Sequence, residues 1–101
     1  MKLLIVTCIK EFEKETVELF MKAHITAFSN TDINGFKTND AQNLISNWFS
    51  SSRDHVNSVL FFAFTEIDKI DKLLKEAKKF NENTKSNNPL RAIVLDIEKF
   101  I

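Results

Sequence analysis

Three segments of this chain carry apolar side chains at both parities of an extended strand, and that pattern restricts the fold more than any other feature. In Lys2 to Ile9, the residues Leu3, Ile5 and Ile9 fall on one parity and Leu4, Val6 and Cys8 on the other. In His55 to Thr65, Val59, Phe61 and Ala63 oppose Leu60, Phe62 and Phe64. In Leu90 to Ile97, Ile93, Leu95 and Ile97 oppose Ala92 and Val94. Successive side chains of a strand point to opposite faces, so each of these strands needs apolar cover on two sides.

Helical spacing fills much of the intervening sequence. From Glu11 to His24 a stripe of Phe12, Thr16, Val17, Phe20, Met21 and His24 leaves Glu13, Lys14, Glu15, Glu18 and Lys22 on the wet side. From Asp68 a second stripe, Ile70, Leu73, Leu74, Ala77 and Phe80, lies opposite a row of lysines, and a polar turn from Asn81 to Pro89 follows it. Ile25 to Asn34 reads as a further strand through Ile25, Ala27, Phe28 and Ile33. Asn34-Gly35 closes it, where positive φ is cheap. Residues 36–54 are rich in Asn, Ser, Thr and Asp. Within them Asp40 is placed to cap a short helix carrying Leu44, Ile45, Trp48 and Phe49 on one side. The order is βαββαβ, so the expected architecture is an α+β, ferredoxin-like domain spanning residues 1–101. It has a four-stranded antiparallel sheet, two helices on one face, and a long loop with a short extra helix between strands two and three.

Composition agrees with one folded unit. The chain has 101 residues, 44% hydrophobic and 28% charged, enough for one core and too apolar for a disordered segment. Lys plus Arg number 14 and Asp plus Glu 14, so the summed charge gives no drive toward nucleic acid or an anionic membrane. The single cysteine excludes an intramolecular disulfide and fits a reducing compartment. The opening apolar run is too short to span a membrane and is followed by charged Lys10 and Glu11. The expectation is a cytoplasmic protein without direct membrane insertion.

Two right-handed crossovers place both helices on one side of such a sheet. The other side stays open, yet the sequence keeps it apolar. Several large side chains there exceed the patch a monomer ordinarily exposes. Each is worth about 1.5–3 kcal/mol when buried, so the face calls for association, or for the Leu44 to Phe49 segment to fold back over it.

The chain resembles the PII-like signalling superfamily, the trimeric ferredoxin-like relatives of the nitrogen regulator PII. The resemblance rests on the opening strand, the helix ending before Ile25, the run Ala27-Phe28-Ser29-Asn30-Thr31-Asp32-Ile33-Asn34-Gly35-Phe36, and the closing Leu90-Arg91-Ala92-Ile93-Val94-Leu95-Asp96-Ile97-Glu98. It implies a homotrimer with its open sheet faces around a threefold axis, a small-molecule effector in the clefts between subunits, and a mobile T-loop that meets a membrane transporter or an enzyme. Carried over, it places Asn34, Gly35, Phe36 and Lys37 at the loop base. Lys85 and Arg91 then lie where the connection into the last strand meets an anion, and residues 36–55 form the partner-contacting loop. The likeness does not extend to the glycine-rich turn of the ATP-binding members, since Thr84-Lys85-Ser86-Asn87-Asn88-Pro89 contains no glycine. Nor does it extend to a modified loop tyrosine, since the chain has no tyrosine.

The remaining candidates read as structural. Cys8 lies within a doubly apolar strand with no base beside it and is expected to pack as a small hydrophobe. His24 at a helix C-terminus suits the dipole, and His55 beside Arg53 and Asp54 reads as solvated. The scatter of two histidines and one cysteine assigns no metal site and no cofactor. Trp48 and Phe49 serve either as packing residues or as an aromatic anchor for a partner. No catalytic triad, zinc-hydrolase or phosphate-loop spacing occurs, and Glu13, Glu15 and Glu18 form no enclosed acid/base pair, so an enzyme is not expected. The alternatives are a metal-linked relative like CutA and a dimeric ferredoxin-like enzyme.

Overall fold

The computed structural model describes residues 1–36 and 56–101. Strand β1 (Lys2–Ile9) leads through a single 3-10 turn, Lys10–Phe12, into helix α1 (Glu13–Lys22). Strand β2 (Ser29–Gly35) and strand β3 (Val56–Thr65) follow, then helix α2 (Ile67–Thr84) and strand β4 (Arg91–Asp96). The sheet runs β2-β3-β1-β4, with every neighbouring pair antiparallel. This is the ferredoxin-like order read from the sequence. The short helix expected after Asp40, with Leu44, Ile45, Trp48 and Phe49, lies outside the described residues, as do Lys37 and His55.

The core fills the space between the sheet and the helices. Leu4, Val6 and Cys8 of β1 and Val59, Phe61 and Ala63 of β3 face Leu19 and Phe20 of α1 and Ile70, Leu73 and Ala77 of α2. An aromatic cluster joins the layers, with ring centroids 5.3 Å apart for Phe20 and Phe61 and 4.6 Å for Phe20 and Phe28. Between the helices, Phe12 meets Phe80 edge-on at 5.2 Å. Such pairs add specific geometry to large apolar burial.

Helix α1 stops short of the expected His24. Ala23 caps it, and His24 takes the left-handed conformation with φ 61°. The His24 N–H donates to the Met21 carbonyl at 3.0 Å and the Ile25 N–H to the Phe20 carbonyl at 3.0 Å. This is a Schellman ending, which satisfies the last carbonyls and drives the next apolar residue back toward the helix. Ile25 and Phe28 are accordingly committed to the core, not to sheet pairing, and β2 begins four residues later than its apolar pattern suggested. In the stripe, Leu19 is buried where Met21 had been expected, and Met21 is exposed. The polar residues of β2 fit an edge strand, where charged and polar side chains discourage further pairing. Gly35 does not use positive φ either. It ends β2 as a buried strand residue opposite Val56.

Helix α2 continues to Thr84, four residues beyond its apolar stripe, and ends on a left-handed Lys85 with φ 50°. Asn81 explains how the chain turns from there. Its Nδ2 donates to the Leu90 carbonyl at 3.1 Å, and its Oδ1 accepts from the Leu90 N–H at 2.9 Å. One amide side chain thus holds the start of β4 against the end of the helix.

On the face away from the helices, three cross-strand rows are defined by the register: Phe64-Leu3-Leu95, Phe62-Ile5-Ile93 and Leu60-Thr7-Arg91. Phe64 is 54% exposed, Leu95 42% and Ile93 41%. The apolar open face anticipated from the sequence is present.

Candidate functional site

The open face changes character along its length. Its far end is apolar through the Phe64 and Phe62 rows. Toward the loop between β2 and β3, the same positions become Thr7, Ser58 and Arg91, with Thr31 on the edge strand opposite Leu60. Thr7 and Ser58 are buried polar residues. The alternation of β1 and β3 sends both side chains to this face because Cys8 and Val59 are committed to the core.

Two cavities adjoin this end of the sheet and share Ser58. The smaller, about 20 Å³, is lined by Thr7, Cys8, Ile9, Val56, Ser58, Asn88 and Pro89. That is room for one water-sized group. The larger, about 300 Å³, is lined by Lys10, Asp32, Ile33, Asn34, Asn57 and Ser58. Gly35 adjoins both through its pairing with Val56 and its neighbour Asn34. Phe36 is exposed immediately beyond. The clamp of Asn81 on Leu90 brings Asn88 and Pro89 into the smaller cavity, and an N–H bond from Asn88 to Ser86 Oγ at 2.9 Å tightens that turn.

Charge is distributed unevenly here. Lys10 Nζ donates to Asp32 Oδ1 at 2.8 Å and lies 3.0 Å from Glu13 Oε1, while Asn30 Nδ2 donates to Glu13 Oε2 at 3.2 Å. The hydrogen bond to Asp32, and then that to Glu13, hold the ammonium above its ordinary pKa of 10.5. Lys10 is thereby committed to tying the α1 entry to the edge strand. Arg91 is in the opposite condition: its Nε is sealed from solvent and has no hydrogen-bond partner among the described residues.

Of the residues singled out from the sequence, Asn34 lines the larger cavity, Gly35 and Phe36 stand at the loop base, and Arg91 lies on the open face directly across from Thr7. Lys85 caps α2 and lines neither cavity. Lys37, Trp48 and Phe49 lie outside the described residues. Thr7, Ser58, Asn57 and Lys10 were missed, and for a physical reason: strand polarity was visible, but only the register shows which polar positions converge. Among the described residues no group of three or more His, Cys, Asp or Glu is arranged to hold a metal ion, and no helix is long and apolar enough to cross a membrane.

No family model and no curated protein sequence matches the chain. Solved structures do match it. CPII, a nitrogen regulatory PII-like protein from Thiomonas intermedia K12 bound to ADP, AMP and bicarbonate, superposes with a TM-score of 0.63 over 99% of this chain and 94% of its own, at 11% identity. The same protein bound to ADP, AMP and acetate gives a TM-score of 0.61 over 95% and 84%, at 14% identity. A DUF3240 family protein from Shewanella baltica OS155 gives 0.64 over 98% and 91%, at 17% identity. The fold is PII-like. Within the PII-like fold the two cavities sit where the chain leaves β2 for residues 37–55 and where it enters β4.

Proposed function

We propose that this chain is a small regulatory protein of the PII-like superfamily, one domain over residues 1–101, whose task is to bind an effector and present its state to another protein. The observation that carries the reading is the open sheet face, which keeps Phe64, Ile93 and Leu95 exposed in a chain whose fold matches PII-like regulators. Burial of that face in a homotrimer removes the exposed apolar rows and creates clefts between copies. The effector contacts are then Asn34, Gly35, Phe36 and Lys37 at the loop base, with Lys85 and Arg91 from the α2–β4 connection. The solved CPII complexes with ADP, AMP and bicarbonate or acetate make adenine nucleotides and small oxyanions the first compounds to test.

The mechanism follows from chain connectivity. Gly35 and Phe36 join the cavity wall directly to residues 37–55, so a ligand touching them biases the arrangement a partner meets. Trp48 and Phe49 are the partner contacts in this reading, and the partner is a membrane transporter or an enzyme. The function is regulatory, not catalytic, and is exercised in the cytoplasm.

Native mass spectrometry of freshly purified protein, with and without ADP, AMP and bicarbonate, tests the reading. A trimer carrying up to three equal mass increments is the expected result. A monomer or dimer under all conditions overturns the trimeric reading, and a trimer that takes up none of these compounds removes the support for these effectors.

A further inference from the structure

The two outer strands of the sheet, β2 and β4, are unequally protected. Along β2, Ser29, Asn30, Thr31, Asp32 and Asn34 leave Ile33 as the one large apolar side chain, and a polar edge of that kind discourages further pairing. Strand β4 has the reverse make-up. Ala92-Ile93-Val94-Leu95 runs without a charge, a proline or a break in its register with β1. Ile93 and Leu95 are exposed on the open face. Val94, opposite Leu4, belongs to the helix-side parity, yet it is 36% exposed, because the helix-side cluster takes in Ala92 and not Val94. Among the described residues β4 pairs with β1 alone, so the backbone N–H and C=O groups along its other edge have no partner in the sheet. Cover over the open face does not by itself reach that edge or Val94.

We propose that the free edge of β4 pairs with β4 of a second copy, antiparallel and about a two-fold axis, so that two four-stranded sheets join into one of eight strands. The strand's own sequence argues for this occupant. Antiparallel pairing centred on Ile93 or Val94 sets the four apolar residues of one strand against the same four of the other. It also carries the two Arg91 residues to opposite ends of the contact, each toward the Asp96 end of its neighbour, so like charges do not meet. Residues opposite one another in an antiparallel pair share a face. The two open faces therefore stay on one side, and the apolar rows through Ile93 and Leu95 continue from copy to copy. The pairing goes beyond the regulatory reading and does not depend on how the open face is covered. A contact between two six-residue strands falls in the size class of transient interfaces, so its dissociation constant is expected on the order of 0.1 mM.

Val94 separates this contact from packing across the open face, because it lies on the other side of the sheet. Sedimentation velocity from about 10 μM to about 1 mM protein is expected to show the low-concentration species doubling in mass, trimer to hexamer or monomer to dimer. Val94→Lys puts a charge into the strand pair. It is expected to weaken the doubling by about tenfold or more and to leave the low-concentration species as in the parent, with circular dichroism confirming the fold. Cross-linking reads the two-fold directly. Under mild oxidation either Ile93→Cys or Val94→Cys is expected to give a disulfide-linked dimer, since a two-fold centred on a residue sets it opposite its own copy. Thr31→Cys on the polar edge is expected to give none, and Cys8 is buried in all of these variants. Absence of doubling, or equal doubling in the parent and Val94→Lys, overturns the proposal. A disulfide that forms only when Ile93→Cys is mixed with Thr31→Cys also overturns it, because β4 then meets the β2 edge of its neighbour. A protein that is monomeric at low concentration and still doubles supports the edge pairing and overturns the trimeric reading instead.

Discussion

At the scale of single residues, Cys8 and His24 show how placement decides chemistry. Cys8 is 4% exposed, and burial pushes its thiol above the ordinary value of 9.0, with a hydrogen bond from Thr16 acting in the opposite direction and Glu13 and Glu15 reinforcing the rise. Below about pH 9 both folded and unfolded chains hold the proton, so Cys8 contributes no pH dependence there. As pH rises past that value the unfolded thiol ionises first, and folding stability falls. The native protein at pH 8 is therefore expected to react slowly with a disulfide reagent such as dithionitrobenzoate, and to release one fast equivalent once denatured. Rapid reaction of the native protein at the denatured rate counts against the burial of Cys8. His24 tests backbone strain: a non-glycine residue at φ 61° costs free energy that glycine does not incur. His24→Gly is expected to stabilise the fold by roughly 0.5–1 kcal/mol in urea unfolding, because the Schellman hydrogen bonds are made by the backbone and survive the change.

Elements are held by a few side chains that bridge them, and Asn81 is the clearest. Its side chain supplies two hydrogen bonds that fasten Leu90 to the end of α2. Asn81→Leu leaves a part-buried N–H and C=O unmet and is expected to cost about 1–3 kcal/mol, read as a lower urea midpoint with an unchanged slope. Phe61, fully buried between Phe20 and Phe28, is expected to cost about 3–5 kcal/mol as Phe61→Ala in the same measurement. The doubly apolar strands and the α2 stripe were legible in the sequence because burial on both faces, and the 3.6-residue period, leave marks that survive without coordinates. The boundary between α1 and β2 was not. Ile25 and Phe28 read as strand residues, yet a left-handed His24 turns them into the core, and nothing in the residue types distinguishes those two fates. The loop base was legible in part. Asn34, Gly35 and Phe36 stood out beside the chain's single glycine, whereas Thr7 and Ser58 become site residues only through the register that brings β1, β3 and β4 together at one end.

For the whole molecule, the decisive asymmetry lies between the two faces of one sheet. The helix-side face is sealed by Leu4, Val6, Val59 and Phe61, each at 0% exposure, while the other presents Phe64, Leu3 and Leu95 as a continuous row. A double variant, Phe64→Ser with Leu95→Ser, separates folding from assembly. Phe64 is 54% and Leu95 42% exposed within one copy, so the half that each already buries puts the loss in its own unfolding free energy at about 1.5–3 kcal/mol for the pair. An assembly that buries the remaining exposed half of each side chain gains about 1.5–3 kcal/mol from the pair, so the two changes weaken association by roughly ten- to a hundredfold per copy. Light scattering on a sizing column is expected to show the parent as an oligomer and the variant as a folded monomer at the same concentration. Phe61→Ala is the control, since it disturbs the sealed face and leaves the exposed row intact. An oligomer that persists in the double variant means that copies meet elsewhere. The apolar row would then need cover from within its own chain, and residues 37–55 are the segment long enough to reach it.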